Sequence, residues 1–201
     1  MFIALIGPGL MPIPPTGWGA VESLIWDYYC NLKNYHNTEI INNKNLNEVI
    51  RYLNSKNYDV VHIMYDDHVV IVPYLKCKNI YLTTHFAYLT HSRFKENYSG
   101  YFNNIFMMAI KCQNIIKINV ISEKIKKIYV KYGFPENKIN ILHNGAREDK
   151  FIFYSEPKKK DKSIYLAKIE KRKCQYIYQN IENIDFVGNY HDSSFDKNNK
   201  N

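Results

Sequence analysis

Five short segments carry side chains whose types and spacing could do chemistry. The stretch 7–19 is rich in Gly and Pro and ends in Gly17-Trp18-Gly19, just before Ala20-Val21-Glu22 opens an apolar-periodic run. A strand, a glycine loop and a helix N-terminus in that order make an anion site, because backbone N–H groups and the helix dipole point at whatever lies above the strand. Phosphate is the usual occupant. The loop lacks G-x-G-x-x-G, so an ordinary βα connection fits the same residues. Asp66-Asp67-His68 could supply general bases or metal ligands, or the two carboxylates could cap the helix they precede. In Thr83-Thr84-His85-Phe86, His85 could orient or deprotonate a hydroxyl, or it could cap the following helix or pack under the loop. Ser122 reads first as an N-cap and second as an anion donor. Lys168 and Lys173 follow an apolar run and could hold a diphosphate, or they are two surface charges. The histidines at 36, 62, 91, 143 and 191 show no metal spacing.

The elements that must position these residues alternate. Strand-like runs fall at 2–6, 39–41, 59–63, 79–83, 117–121 and 138–142. Between them lie helical patterns at 18–32, 46–53, 99–114 and 122–132, and a short helix or turn at 66–75 limited by Pro73. Val21, Leu24, Ile25 and Tyr28 share one face of the first helix. Ile125, Ile128, Tyr129 and Tyr132 share one face of the last, which Gly133 and Pro135 end. Such β-α alternation predicts an α/β fold, a Rossmann-like parallel sheet with helices on both faces. Each of the first four candidate segments then lies at a strand's carboxyl end, where open α/β sheets bind ligands.

The boundaries read as a Rossmann-like domain over 1–151, a Pro- and Lys-bearing linker over 152–162, a second α/β unit over 163–188 and a disordered tail over 189–201. The second unit has a strand at 163–167, a helix at 172–180 and a strand at 184–187, too little for an independent core.

Hydrophobic residues make up 46% of the 201 residues, with 18 Tyr and 10 Phe, enough to bury a sizeable core. The net charge of +8 favours an anionic partner, or reflects a lysine-rich surface set by codon bias. The four cysteines form no C-x-x-C pair, so neither zinc nor a disulfide framework is expected. No basic n-region precedes 2–6, and no apolar run approaches the ~20 residues that span a bilayer. A soluble cytoplasmic protein is the expectation.

In order and spacing, these segments resemble the N-terminal half of a retaining GT-B glycosyltransferase, of the family 4 and group 1 type related to glycogen synthase and sucrose synthase. Gly19-Ala20-Val21-Glu22 stands at that family's Gly-Gly-x-Glu, and Asp59-Val60-Val61-His62 at its Asp-x-x-His strand. Ile121-Ser122-Glu123 through Gly133-Phe134-Pro135, then Asn144-Gly145 and Phe151, resemble its Ser-Glu helix and interdomain hinge. Tyr165-Leu166-Ala167-Lys168 with Lys171-Arg172-Lys173 resembles the Gly-Arg … Lys-Gly opening of its second domain. Departures are Ala20 for Gly, His143 for Pro, 146–149 for Val-Asp, Ala167-Lys168 for Gly-Arg and Cys174 for Gly. A lysine keeps the charge at 168 and loses arginine's fork. The family's second domain would run roughly 150 residues further.

The resemblance implies transfer from a nucleotide-diphosphate sugar to a carbohydrate or lipid-linked acceptor, with retention and with no metal or other cofactor. It implies substrate contacts at Gly17, Gly19, Glu22, Ser122, Asn144, Lys168 and Lys173, with His85 in the catalytic position. A separately encoded C-terminal half would be a partner. A lipid-linked acceptor would bring the protein to a membrane periphery. Two other classes compete. One is a non-catalytic carbohydrate- or nucleotide-binding module on the same fold. The other is a basic nucleic-acid binder, for which the lysines at 124, 126, 127 and 131 fit one helix face only partly, so nucleic acid is not the expected partner.

Overall fold

A computed structural model describes residues 1–85, 87–90, 100–145, 147, 155, 161–190 and 193–195. The chain divides into two units, Met1–Gly145 and Ala146–Asn201. The expected boundary at 151 and nearly all of the linker at 152–162 lie outside the described residues, as does most of the tail at 189–201.

The first unit is a six-stranded parallel sheet. Its strands are β1 Phe2–Ile6, β2 Asn37–Ile41, β3 Val60–Ile63, β4 Ile80–Thr84, β5 Ile116–Val120 and β6 Ile139–Ile141. They lie in the order β2-β1-β3-β4-β5-β6. The sequences FIALI and VVHI are nearly continuous apolar runs because a strand inside a parallel sheet is covered on both faces. The helices are α1 Ala20–Leu32, α2 Leu46–Asn54, α3 Tyr101–Lys111 and α4 Glu123–Lys131.

Alternation along each strand sorts the core into two layers. Ile3 and Leu5 face α1 and pack with Ile25, Val21, Leu24 and Tyr28. Ala4, Ile6, Val61, Ile63, Leu82 and Ile118 face the other way. They meet Val49 and Leu53 of α2, Ile105 and Phe106 of α3, and Ile125 and Tyr129 of α4. This is a Rossmann-like sheet with helices on both faces, as the alternation predicted. The chain runs outward from β1 to β2 and then returns across β1 to β3. The order therefore reverses at the β1/β3 boundary, and the crevice above it is where such sheets place ligands.

Local signals account for the helix ends. Asn45 caps α2 by accepting from Glu48 N–H, and Ser122 caps α4 by accepting from Ile125 N–H. Gly133, at φ 90, follows the end of α4. Asp66–Tyr74 is a 3₁₀ helix. Its β-branched run Val69-Val70-Ile71-Val72 and Pro73 disfavour a regular α turn, while Val69, Ile71 and Val72 are buried in the core.

The second unit holds a two-stranded parallel sheet, β7 Ser163–Leu166 with β8 Ile184–Val187. Its expected helix over 172–180 is interrupted. A 3₁₀ turn, Lys171–Lys173, gives way at Cys174 to a short helix α5, Gln175–Tyr178. Cys174 sits at φ 61, the left-handed region that glycine enters without strain. Gly188, at φ +158, passes so close to β7 that a Cβ would lie 1.9 Å from the Ala167 carbonyl oxygen. No helix among the described residues is long and apolar enough to cross a membrane.

Candidate functional site

The opening loop is folded down by one side chain. Asn42, just beyond β2, accepts from Gly9 N–H and donates to the Met11 carbonyl, both at 2.7 Å. Gly7 N–H donates to Ile41 O at 2.9 Å. The amides of Gly7 and Gly9 are therefore used within the protein. Gly9 has φ +69, and a Cβ there would meet Lys44 N at 2.2 Å, so only glycine fits.

What the loop leaves open is the start of α1. Gly19 is its N-cap and supplies no side-chain hydrogen bond. The N–H groups of the first turn, at the positive end of the helix dipole, thus receive no side-chain cap from the N-cap residue. Gly19 is buried at φ +150, and a Cβ there would crowd Pro15 Cβ and Glu22 Oε2 at 3.1 Å each. Glu22 lies in that same turn with 6% of its surface exposed. Gly17 is exposed, and nothing stands within 4 Å of where its Cβ would be.

At the same edge of the sheet, the exits of the adjacent strands β3 and β4 are tied together. Asp66 Oδ2 accepts the backbone N–H of His85 at 2.9 Å. Thr84 also bonds the Asp66 carboxylate, and Tyr129 bonds Thr84. Burial lifts the Asp66 carboxyl to about 7, and those hydrogen bonds only partly oppose it. The expected helix cap is not what Asp66 does: the residue before the 3₁₀ helix is Tyr65, with no side-chain cap. Asp67 instead accepts from Tyr101 Oη at 2.8 Å. Burial and that carboxylate push the Tyr101 hydroxyl up to about 12.

His85 Nε2 is buried without a hydrogen-bond partner among the described residues, and so is His68 Nδ1. Burial lowers the pKa of both rings, which favours neutral imidazoles. Deeper in, His62 Nε2 lies 2.7 Å from Thr83 Oγ1. Asn119 Nδ2 reaches both at 3.4 Å, and Asn140 Nδ2 donates to Asn119 Oδ1 at 3.1 Å. Burial first, and the neighbouring His85 second, push His62 down to about 4.

The remaining expected contacts lie farther out. Ser122, past β5, has its hydroxyl oxygen occupied by Ile125 N–H at 3.3 Å. Asn144, past β6, is exposed, and the His143 ring beside it bonds Ile121 O at 3.1 Å. Lys168 and Lys173 belong to the second unit. Gln175 Nε2 donates to Lys168 O at 2.9 Å and Tyr165 Oη donates to Lys173 O, so side chains of that unit hold both backbones. The first unit thus brings Gly17, Gly19, Glu22, His85, Ser122 and Asn144 to one edge of its sheet. It also exposes two features that the motifs did not single out, the Asp66 cross-link and the His62–Thr83–Asn119–Asn140 row. The signal for the row was polar residues of matching parity inside apolar strands. The signal for Asp66 was weak, because adjacent carboxylates before a helix usually cap it.

A family model described as Glycosyltransferase Family 4 matches residues 31–150, more than half of the chain. The match takes in β2 to β6 with His85, Ser122 and Asn144. A comparison with curated proteins found no match.

Proposed function

Because the chain belongs to glycosyltransferase family 4, we propose that the first unit is one wall of a sugar-transfer site. A nucleotide-diphosphate sugar gives its sugar to a carbohydrate or lipid-linked acceptor with the anomeric configuration retained. One observation carries this reading. Two groups at the same sheet edge lack a side-chain partner among the described residues: the first turn of α1, whose N-cap is Gly19, and the buried Nε2 of His85. Amides at a helix start suit an oxygen-rich anion such as a diphosphate. A neutral imidazole can accept a proton from a sugar hydroxyl or hold that hydroxyl in place.

The other residues take supporting parts. Gly19 lets the chain approach the ligand without a Cβ, and Glu22 offers a hydroxyl acceptor in the same turn. Gly17, Ser122 and Asn144 extend the binding edge to either side. Within the second unit, Lys168 and Lys173 are cations of the charge type that a diphosphate pairs with. The scheme calls for no metal, because backbone amides at the start of α1 meet the developing charge. A lipid-linked acceptor would place the reaction at a membrane surface.

The test uses the full chain against a panel of nucleotide-diphosphate sugars and acceptors. Nucleoside diphosphate release that depends on the acceptor is the expected result. Calorimetric binding of donor or sugar without release from any pair would overturn transfer and leave a binding module.

A further inference from the structure

The exit of β4 is held by a side chain from a different loop. Thr84 is the last residue of β4 in register with β5, paired with Val120. The next amide, that of His85, therefore lies beyond the ladder and must find its acceptor elsewhere. Asp66 Oδ2 provides it at 2.9 Å. Asp66 opens the 3₁₀ helix that follows β3, and β3 lies beside β4. One carboxylate thus staples two neighbouring strand exits.

We infer that Asp66 is a positioning residue, whose buried carboxylate fixes the turn at His85 and so sets where the His85 imidazole points. The inference rests on the proposed function to the extent that His85 is the group that meets substrate.

Asparagine would satisfy the same amide with a neutral carbonyl and no buried charge. The carboxylate is instead kept with 4% of the residue exposed. Among the described residues, the groups facing it are Asp67 and Tyr65 on its own loop, Thr84 and His85 at the β4 exit, and Tyr129 on α4. The neighbouring Asp67 disfavours ionisation, whereas Thr84 and the His85 amide favour it. One arrangement serves the anion: Tyr129 O–H donates to Thr84 Oγ1, and Thr84 O–H and His85 N–H both donate to Asp66. Protonation makes one Asp66 oxygen a donor, so Thr84 must turn to accept. The amide keeps an acceptor in both states but is held more strongly by the anion. Buried ionisable groups whose protonation is shifted this far are found more often at functional sites than elsewhere.

The experiment follows the backbone amide at position 85 by NMR, in the full labelled chain, from pH 5 to 9. In the wild type its proton shift titrates with a midpoint near 7, the value to which burial lifts Asp66. His85→Gln keeps that titration, which excludes the imidazole as its source. Asp66→Asn abolishes it and lowers kcat about tenfold, with donor KM within about twofold. Thr84→Val moves the midpoint upward by removing a bond to the anion, and it decides the matter if Asp66→Asn does not fold. A flat wild-type amide, a titration that survives Asp66→Asn, an unmoved midpoint in Thr84→Val, or full kcat in Asp66→Asn beside a dead His85→Gln each overturn the inference. Absence of turnover by the wild type sinks the transfer reading instead, and the amide titration then decides the role of Asp66 alone.

Discussion

His62 Nε2 lies 2.7 Å from Thr83 Oγ1, joining β3 to β4 inside a largely apolar sheet. The contact begins a polar row. Thr83 stands opposite Asn119 in the register, and Asn119 opposite Asn140. All four side chains share the sheet face that carries α1 beside β1 and β3. His62 is held neutral by burial, far below the usual histidine range, while Asp66 on a neighbouring loop is lifted far above the usual carboxylate range.

These two shifts act oppositely on stability. His62 falls from 6.5 to about 4, so its contribution is present above pH 6.5 and is lost as pH falls through 4. Asp66 rises from 3.8 to about 7, so its contribution is present below pH 3.8 and is lost as pH rises through 7. Buried His68 and His85, also lowered, add to the side of His62. Between pH 4 and 6.5 the slopes of His62 and Asp66 cancel, so the melting temperature of the wild type should rise over that window only through His68 and His85. Asp66→Asn should show stability rising over that window, and His62→Gln should flatten or reverse that rise. Parallel profiles for all three proteins would refute the assignment.

Thr83→Val keeps the shape of Thr83 and removes the hydroxyl partner of His62. The imidazole nitrogen would retain only the longer contact to Asn119, at 3.4 Å. A loss of about 1–3 kcal/mol is expected, the cost of an under-satisfied buried polar group. Urea denaturation at pH 7 measures it, and a change within error would show that Asn119 suffices.

At Gly19, φ +150 and the close Pro15 and Glu22 atoms both act against a side chain. Gly19→Ala should cost about 1–3 kcal/mol and weaken donor binding, because the first turn of α1 would shift. Gly17→Ala, in open space, should leave stability unchanged. Equal stability of the two variants would contradict the backbone geometry.

Cys174 occupies φ 61 in the second unit, so a glycine there removes a strained left-handed residue. Cys174→Gly should stabilise the unit by roughly 0.5–1 kcal/mol. Hydrogen exchange of the β7 and β8 amides is the readout. Faster exchange in the variant would show that the thiol side chain matters more than the strain.

His85→Gln tests the proposed function directly. A hydrogen-bonding side chain is retained, but no proton can be accepted at neutral pH. Acceptor-dependent release of nucleoside diphosphate should fall about 10²-fold or more with little change in melting temperature. Unchanged release would remove His85 from the chemistry.

Much of the frame was legible because it is written locally. Val21, Leu24, Ile25 and Tyr28 recur at helical spacing, and the same residues pack α1 on the sheet. Ser122 had the residue type and place of an N-cap, and its hydroxyl takes Ile125 N–H. Two further segments were written locally but ambiguously, and the second departs from its expectation. The apolar run after Asp66 suits a short helix or a turn, and its β-branched residues and Pro73 made it a 3₁₀ helix. The helix over 172–180 had the right periodicity, but the left-handed turn at Cys174 broke it.

The sequence by itself determined the β-α alternation, the apolar faces and the residues that reach one sheet edge. Each depends on neighbours within about one helical turn or one strand. Only the tertiary structure decided that Asn42 uses the Gly9 amide, that Asp66 takes the His85 amide, and that His62, Thr83, Asn119 and Asn140 form one row. Those partners lie 19 to 36 positions apart along the chain. They meet through strand order and register, and the burial that sets their protonation exists once the sheet has closed around them.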